Sequence, residues 1–215
     1  MTTTHRLGAV GMISSRRSRL YVIGGTAALL AGALFLIAAA DLIITRLVYG
    51  TLGESISPVQ NNWLVVIFKL HAGVGGVQIS SLQVFNFLDL AILALVSITH
   101  LGMYAALHRT SKIWSIIALI QPFLGIVLFV ATKSAGRSSV MGAGLVISAV
   151  MLRGNIFNKV IAFMGLLARA LLLAGDLSAG AIPPSSLVAT LFGIGYMLLI
   201  TWLFFVARRL FQVRV

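Results

Sequence analysis

The chain is 215 residues long, 60% apolar and only 9% charged, with sixteen Lys and Arg against four Asp and Glu. A soluble domain carries roughly a quarter charged residues, so lipid must cover much of this apolar surface and a soluble fold is excluded. The net charge of +12 would point to nucleic acid in a soluble protein, but here the basic residues fall in short clusters between apolar runs, the pattern that orients a membrane protein. No nucleic-acid partner is expected. The absence of cysteine removes disulfides, thiol catalysis and Cys-ligated metals.

A transmembrane helix needs roughly 20 apolar residues, and the chain divides accordingly. Residues 1–20 form a basic segment that is expected to be cytoplasmic. Its Ser15-Arg16-Arg17-Ser18-Arg19-Leu20 resembles a twin-arginine export signal, with Ala38-Ala39-Ala40 imitating a cleavage site. The apolar run continues to Ile44, however, well beyond a signal core of about 7–15 residues. A retained first span over 21–45 is therefore predicted. A polar stretch with Glu54 and Pro58 follows. Within 63–77, Trp63, Val66, Leu70 and Val74 recur at helical spacing beside Lys69 and His71, which predicts a short outer helix, interfacial or re-entrant.

Further spans are predicted over 83–107, 113–132, 134–152, 160–176 and 187–207, with a basic tail over 208–215. The membrane domain as a whole covers 21–207. With both termini in the cytoplasm, eleven of the sixteen basic residues lie on the inner side, including Arg109, Lys112, Arg153, Lys159, Arg208 and Arg209. Making 63–77 a seventh full span would turn the later clusters outward, against the positive-inside rule. The expected fold is an all-α bundle of about six transmembrane helices. A 3+3 inverted repeat fits six spans, but the two halves barely align.

Small residues let helices approach closely in lipid. Gly24, Ala28 and Gly32 recur at four-residue intervals on the first span, and Gly144 and Ser148 on the fourth. Packing inside the bundle is the plain reading of both stripes, and a homodimer face is the alternative.

Charge within hydrocarbon costs at least about 2.5–3.5 kcal/mol on insertion scales. Counted from the outer ends of their spans, Asp89 and Arg169 both lie roughly 10 Å deep, so they are expected to pair or to share a polar cavity, with Asn86 completing the hydrogen bonds of Asp89. Such a pair either locks helix register or forms a ligand or proton site. Asp41 and Asp176 sit closer to the interface. His100 lies eleven residues after Asp89, on almost the same helix face, at the level of Gln121 on the next span. A His100–Gln121 hydrogen bond would tie the two spans. The alternative is a proton or ion path from Asp89 to His100, bridged by water or by Ser97 and Thr99. Pro122 frees a backbone carbonyl beside Gln121.

Cofactors are not expected. His71 and His100 lie at different depths, which does not suit a bis-histidine haem, and four scattered histidines with four carboxylates supply no zinc set. A GxSxG elbow and a phosphate-cradling loop are also absent, so enzyme function has little support.

The stretch Val146-Ile147-Ser148-Ala149-Val150-Met151-Leu152-Arg153-Gly154-Asn155-Ile156-Phe157-Asn158-Lys159, followed by Ala162-Phe163-Met164-Gly165-Leu166-Leu167, resembles small bacterial multi-spanning membrane proteins of unknown function. In these an apolar helix ends in a Leu-Arg-Ser-type turn with Phe and a basic residue. Here Gly154 and Phe163 stand where Ser and Tyr would be expected. The resemblance implies a bacterial inner-membrane bundle and supplies no activity.

The first functional expectation is thus a non-enzymatic accessory, scaffold-like or membrane-sensing protein, with the bilayer and either a second copy or a membrane complex as partner. The second is a small transporter or channel with a path through Asp89, Arg169 and His100. An intramembrane lipid-modifying enzyme is third.

Overall fold

The computed structural model describes residues 4–49, 81–178 and 186–213. Among these residues the fold is all α: α1 Thr4–Tyr49, α2 Ser81–Leu107, α3 Lys112–Ala131, α4 Lys133–Arg153, α5 Lys159–Ser178 and α6 Ser186–Val213. The predicted helix over 63–77 lies outside the described residues, as do the side chains of Asp41, Asn86 and Asp176.

Each helix packs on its neighbour in sequence, and α6 returns to α1, so the six close into a ring. The second helix also reaches α4 and α6. This makes α2 the most enclosed of the long apolar helices, and Ile92, Val96, Ser97, His100 and Met103 are all buried. Among the described residues, five helices are long and apolar enough to cross a membrane: the segments Arg17–Ala40, Leu88–Leu107, Lys112–Phe129, Ala135–Arg153 and Thr190–Val213. The fifth helix, which carries Lys159, Arg169 and Asp176, is not among them and packs between α4 and α6.

Large apolar side chains face outward around the ring. Ile23 on α1, Ile113 and Val127 on α3, Phe163 on α5 and Ile194 on α6 are all exposed. A soluble monomer rarely shows a continuous apolar belt; in a bilayer this surface meets acyl chains. The chain is a multi-pass membrane protein.

Glycine sets the closest approaches. A Cβ on Gly24 would lie 2.6 Å from the Cα of Gly102, so α1 and α2 cross backbone on backbone. Ala28 is fully buried on the same stripe, and Gly32 faces Phe204 and Leu203 of α6. The stripe is thus turned toward α2 and α6. Thr132 alone separates α3 from α4, and so tight a hairpin requires a second glycine crossing. A Cβ on Gly136 would meet the Cα of Phe129 at 2.6 Å, and one on Gly125 would meet the Gly136 carbonyl at 3.0 Å. The third helix runs unbroken through Pro122.

The basic segments meet at one end of the bundle. Gly154, after α4, abuts Thr110 and Leu107 at the end of α2. The Arg209 Nε donates to the Ile156 carbonyl at 2.6 Å, fastening the end of α6 to the α4–α5 turn. Asn158 accepts from the Val160 N–H at 3.1 Å and caps the start of α5. The Tyr21 hydroxyl donates to the Ala105 carbonyl at 3.3 Å, bringing the Arg17–Arg19 region of α1 to the same end.

Candidate functional site

Among the described residues, the polar groups within the bundle do not form the expected Asp89–Arg169 pair. The carboxylate of Asp89 forms an ion pair with Arg137, linking α2 to α4. The reason is helix length. Measured from the basic end, Asp89 stands eighteen residues before Leu107 and Arg137 sixteen before Arg153, at levels of about 27 and 24 Å. Arg169 is ten residues after Lys159, at only about 15 Å. Depths counted from the outer ends treat a 27-residue and a 20-residue helix as flush at that end, which they are not.

The Asp89–Arg137 pair is open to its surroundings, with side-chain exposures of 28% and 41%. Ion pairs this accessible are worth about 0–1 kcal/mol. A double-mutant cycle of Asp89→Asn and Arg137→Gln is expected to return a coupling below about 1 kcal/mol in thermal unfolding. A coupling several times larger would mean that lipid, not water, surrounds the pair.

Arg169 lies instead in the centre of the bundle, 1% exposed. Its setting follows from the α4–α5 hairpin. In an antiparallel pair, four residues back along one helix matches four forward along the other. Gly144 therefore faces Arg169, and Ser148 faces Gly165. The missing side chain at Gly144 is the seat of the arginine, because a Cβ there would collide with its Nη1, Cζ and Cδ. A Cβ on Gly165 would strike both the Ser148 Oγ and the Trp202 Nε1. The hydroxyl and the indole N–H thus both lie close to one point, one turn along α5 from Arg169.

The sixth helix completes the group. The Cζ of Arg169 is 4.7 Å from the centroid of the Trp202 ring, a cation–π distance. Nη1 donates to the Val140 carbonyl at 3.1 Å. The other nitrogens, Nε and Nη2, are buried without a hydrogen-bond partner, as are Ser148 Oγ and Trp202 Nε1. Asp89 is the only acidic residue whose side chain is described, and it is held by Arg137. Arg169 therefore has no carboxylate partner among the described residues.

His100 is fully buried on α2 and lies within electrostatic range of the Arg169 guanidinium. The expected His100–Gln121 bond is not formed. Nδ1 of His100 donates to the Val96 carbonyl at 2.7 Å, and its Nε2 has no partner. A carbonyl can only accept, so Nδ1 carries a proton. Gln121 turns toward α4, where its Nε2 would lie 2.7 Å from a Cβ on Gly142. Ser97 and Thr99 donate to the Leu93 and Leu95 carbonyls of their own helix, at 2.7 and 2.9 Å. Their hydroxyl protons are used locally and do not link Asp89 to His100.

The structure thus separates Asp89 from Arg169, seats Arg169 on Gly144 and sets Ser148 one turn along the same hairpin. Gly165 and Trp202 complete the group without having been singled out from the sequence. The hairpin register around Gly154 carried a signal for Gly165. Trp202 had none, since a tryptophan in an apolar helix reads equally well as lipid-facing. Among the described residues, no three His, Asp or Glu side chains come together to hold a metal ion. No family model, curated protein or solved structure matches the chain.

Proposed function

We propose that the bundle is a small transporter or channel, with the Arg169–Trp202–Ser148 cluster as its solute site. One observation carries this reading: a guanidinium, an indole N–H and a hydroxyl converge at mid-bundle with hydrogen-bonding capacity unused. Ionisable groups inside a membrane are costly, and where they persist they characteristically mark substrate or ion pathways. A residue needed only for packing would not keep unsatisfied donors, since each costs about 1–3 kcal/mol.

The Asp89–Arg137 pair fits the same reading. It joins α2 to α4, the helices that contribute His100 and Ser148, at the end of the bundle away from the basic turns. An accessible ion pair is weak enough to open, and there it acts as the closure over one approach to the site. The basic end, with Arg109, Lys112, Arg153, Lys159, Arg208 and Arg209, faces the cytoplasm by the positive-inside rule. The resemblance of the α4–α5 hairpin to small bacterial multi-spanning proteins supports a bacterial inner membrane as its location.

The test is flux in proteoliposomes containing the full chain. Vesicles moved into gradients of sodium chloride, sodium acetate or glycerol are followed by light scattering. Solute entry faster than in protein-free vesicles, and lost in Arg169→Gln, is the expected result. If no solute moves with any variant, the accessory or scaffold-like reading takes precedence.

A further inference from the structure

Building on the solute-site reading, we infer that the cluster around Arg169 binds a small monovalent anion, an inorganic anion or a short carboxylate. The free groups of Arg169, Trp202 and Ser148 comprise two guanidinium nitrogens, an indole N–H and a hydroxyl. The nitrogens only donate, and the hydroxyl has a proton to give. A donor set of this kind around a full positive charge suits an anion and repels a cation.

The charge balance agrees. The chain has four acidic residues for sixteen basic ones, and Arg169 has no carboxylate partner among the described residues. A single guanidinium is neutralised by one negative charge, which sets the valence. Size is limited by the close packing of α4 on α5. The two positions without side chains, Gly144 and Gly165, are where the arginine and the Ser148–Trp202 pair find room. The ligand must fit beside them. The lipid-facing side chains of α5, such as Phe163 and Leu167, are separate from this interior face.

The experiment is thermal unfolding of the full chain in a non-ionic detergent, at constant ionic strength, with sodium gluconate replaced stepwise by chloride, nitrate or acetate. The expected result is a saturable rise in melting temperature that follows the anion and is unchanged when potassium replaces sodium. Arg169→Gln is expected to weaken the apparent affinity at least about tenfold, as loss of charge-assisted hydrogen bonds implies. Trp202→Phe keeps a ring but removes the N–H, and is expected to weaken it about three- to tenfold. It serves as the readout if Arg169→Gln does not fold.

The inference is overturned if the shift follows the cation, if folded wild-type protein shows no anion dependence, or if folded Arg169→Gln retains it in full. Flux of glycerol without anion binding overturns the anion class and leaves the transporter reading standing. Saturable anion binding without any flux does the reverse.

Discussion

A single methyl group added at Gly102 is expected to lower the stability of the bundle by about 1–3 kcal/mol, the usual cost of overpacking. The new Cβ would lie 2.8 Å from the Gly24 Cα, 3.1 Å from Leu210 Cδ1 and 3.2 Å from the Leu20 carbonyl. Two of these three neighbours are backbone, so no rotamer change relieves them and α1 must move away from α2. Gly24→Ala is expected to act in the same way, since its Cβ would meet Gly102 Cα and N at 2.6 and 2.9 Å. Gly193→Ala is the control, because nothing lies within 4 Å of a Cβ there. Heat- or SDS-induced unfolding of the three variants is the measurement. If Gly102→Ala unfolds like Gly193→Ala, the α1–α2 crossing is not as close as described.

The second large effect separates function from stability. Arg169→Met is expected to abolish flux and anion dependence while leaving stability unchanged, or raising it by up to about 2 kcal/mol. Methionine fills the space above Gly144 without two buried nitrogens that lack partners, each of which costs about 1–3 kcal/mol. Against this stands the loss of the Val140 hydrogen bond and of the cation–π contact on Trp202, together about 1–3 kcal/mol. Replacing buried charge by apolar volume is often neutral or stabilising, and a site kept for function commonly carries such a stability deficit. A loss of 3–5 kcal/mol on thermal unfolding would instead identify Arg169 as a structural strut.

The helices were legible in the sequence because apolar runs of spanning length are bounded by basic or polar turns. The sequence places spans at 83–107 and 134–152, and the helices run Ser81–Leu107 and Lys133–Arg153. Side-chain partnerships were harder to read. The expected Asp89–Arg169 pairing compared depths across helices of unequal length, and the shared reference is the basic end, where Gly154 meets Leu107 and Arg209 meets Ile156. Counting from that end matches Asp89 to Arg137. His100 stood out in the sequence by its cost in an apolar helix. Its partner did not, because an imidazole satisfied by its own helix at Val96 leaves no trace in residue spacing.

The ring closes between the first helix and the last, and this fixes an order of assembly for a chain made from its N-terminus. The glycine crossing of α1 on α2 and the hairpin of α4 on α5 involve helices already synthesised before α6. Gly32 of α1 must then wait without its α6 neighbours until Leu203 and Phe204 arrive. Arg169 is seated on Gly144 at that stage, but its aromatic neighbour Trp202 comes only with the last helix. A nascent chain arrested before α6 thus holds an open bundle with its arginine uncovered. The same insertion event that closes the ring also completes the proposed solute site.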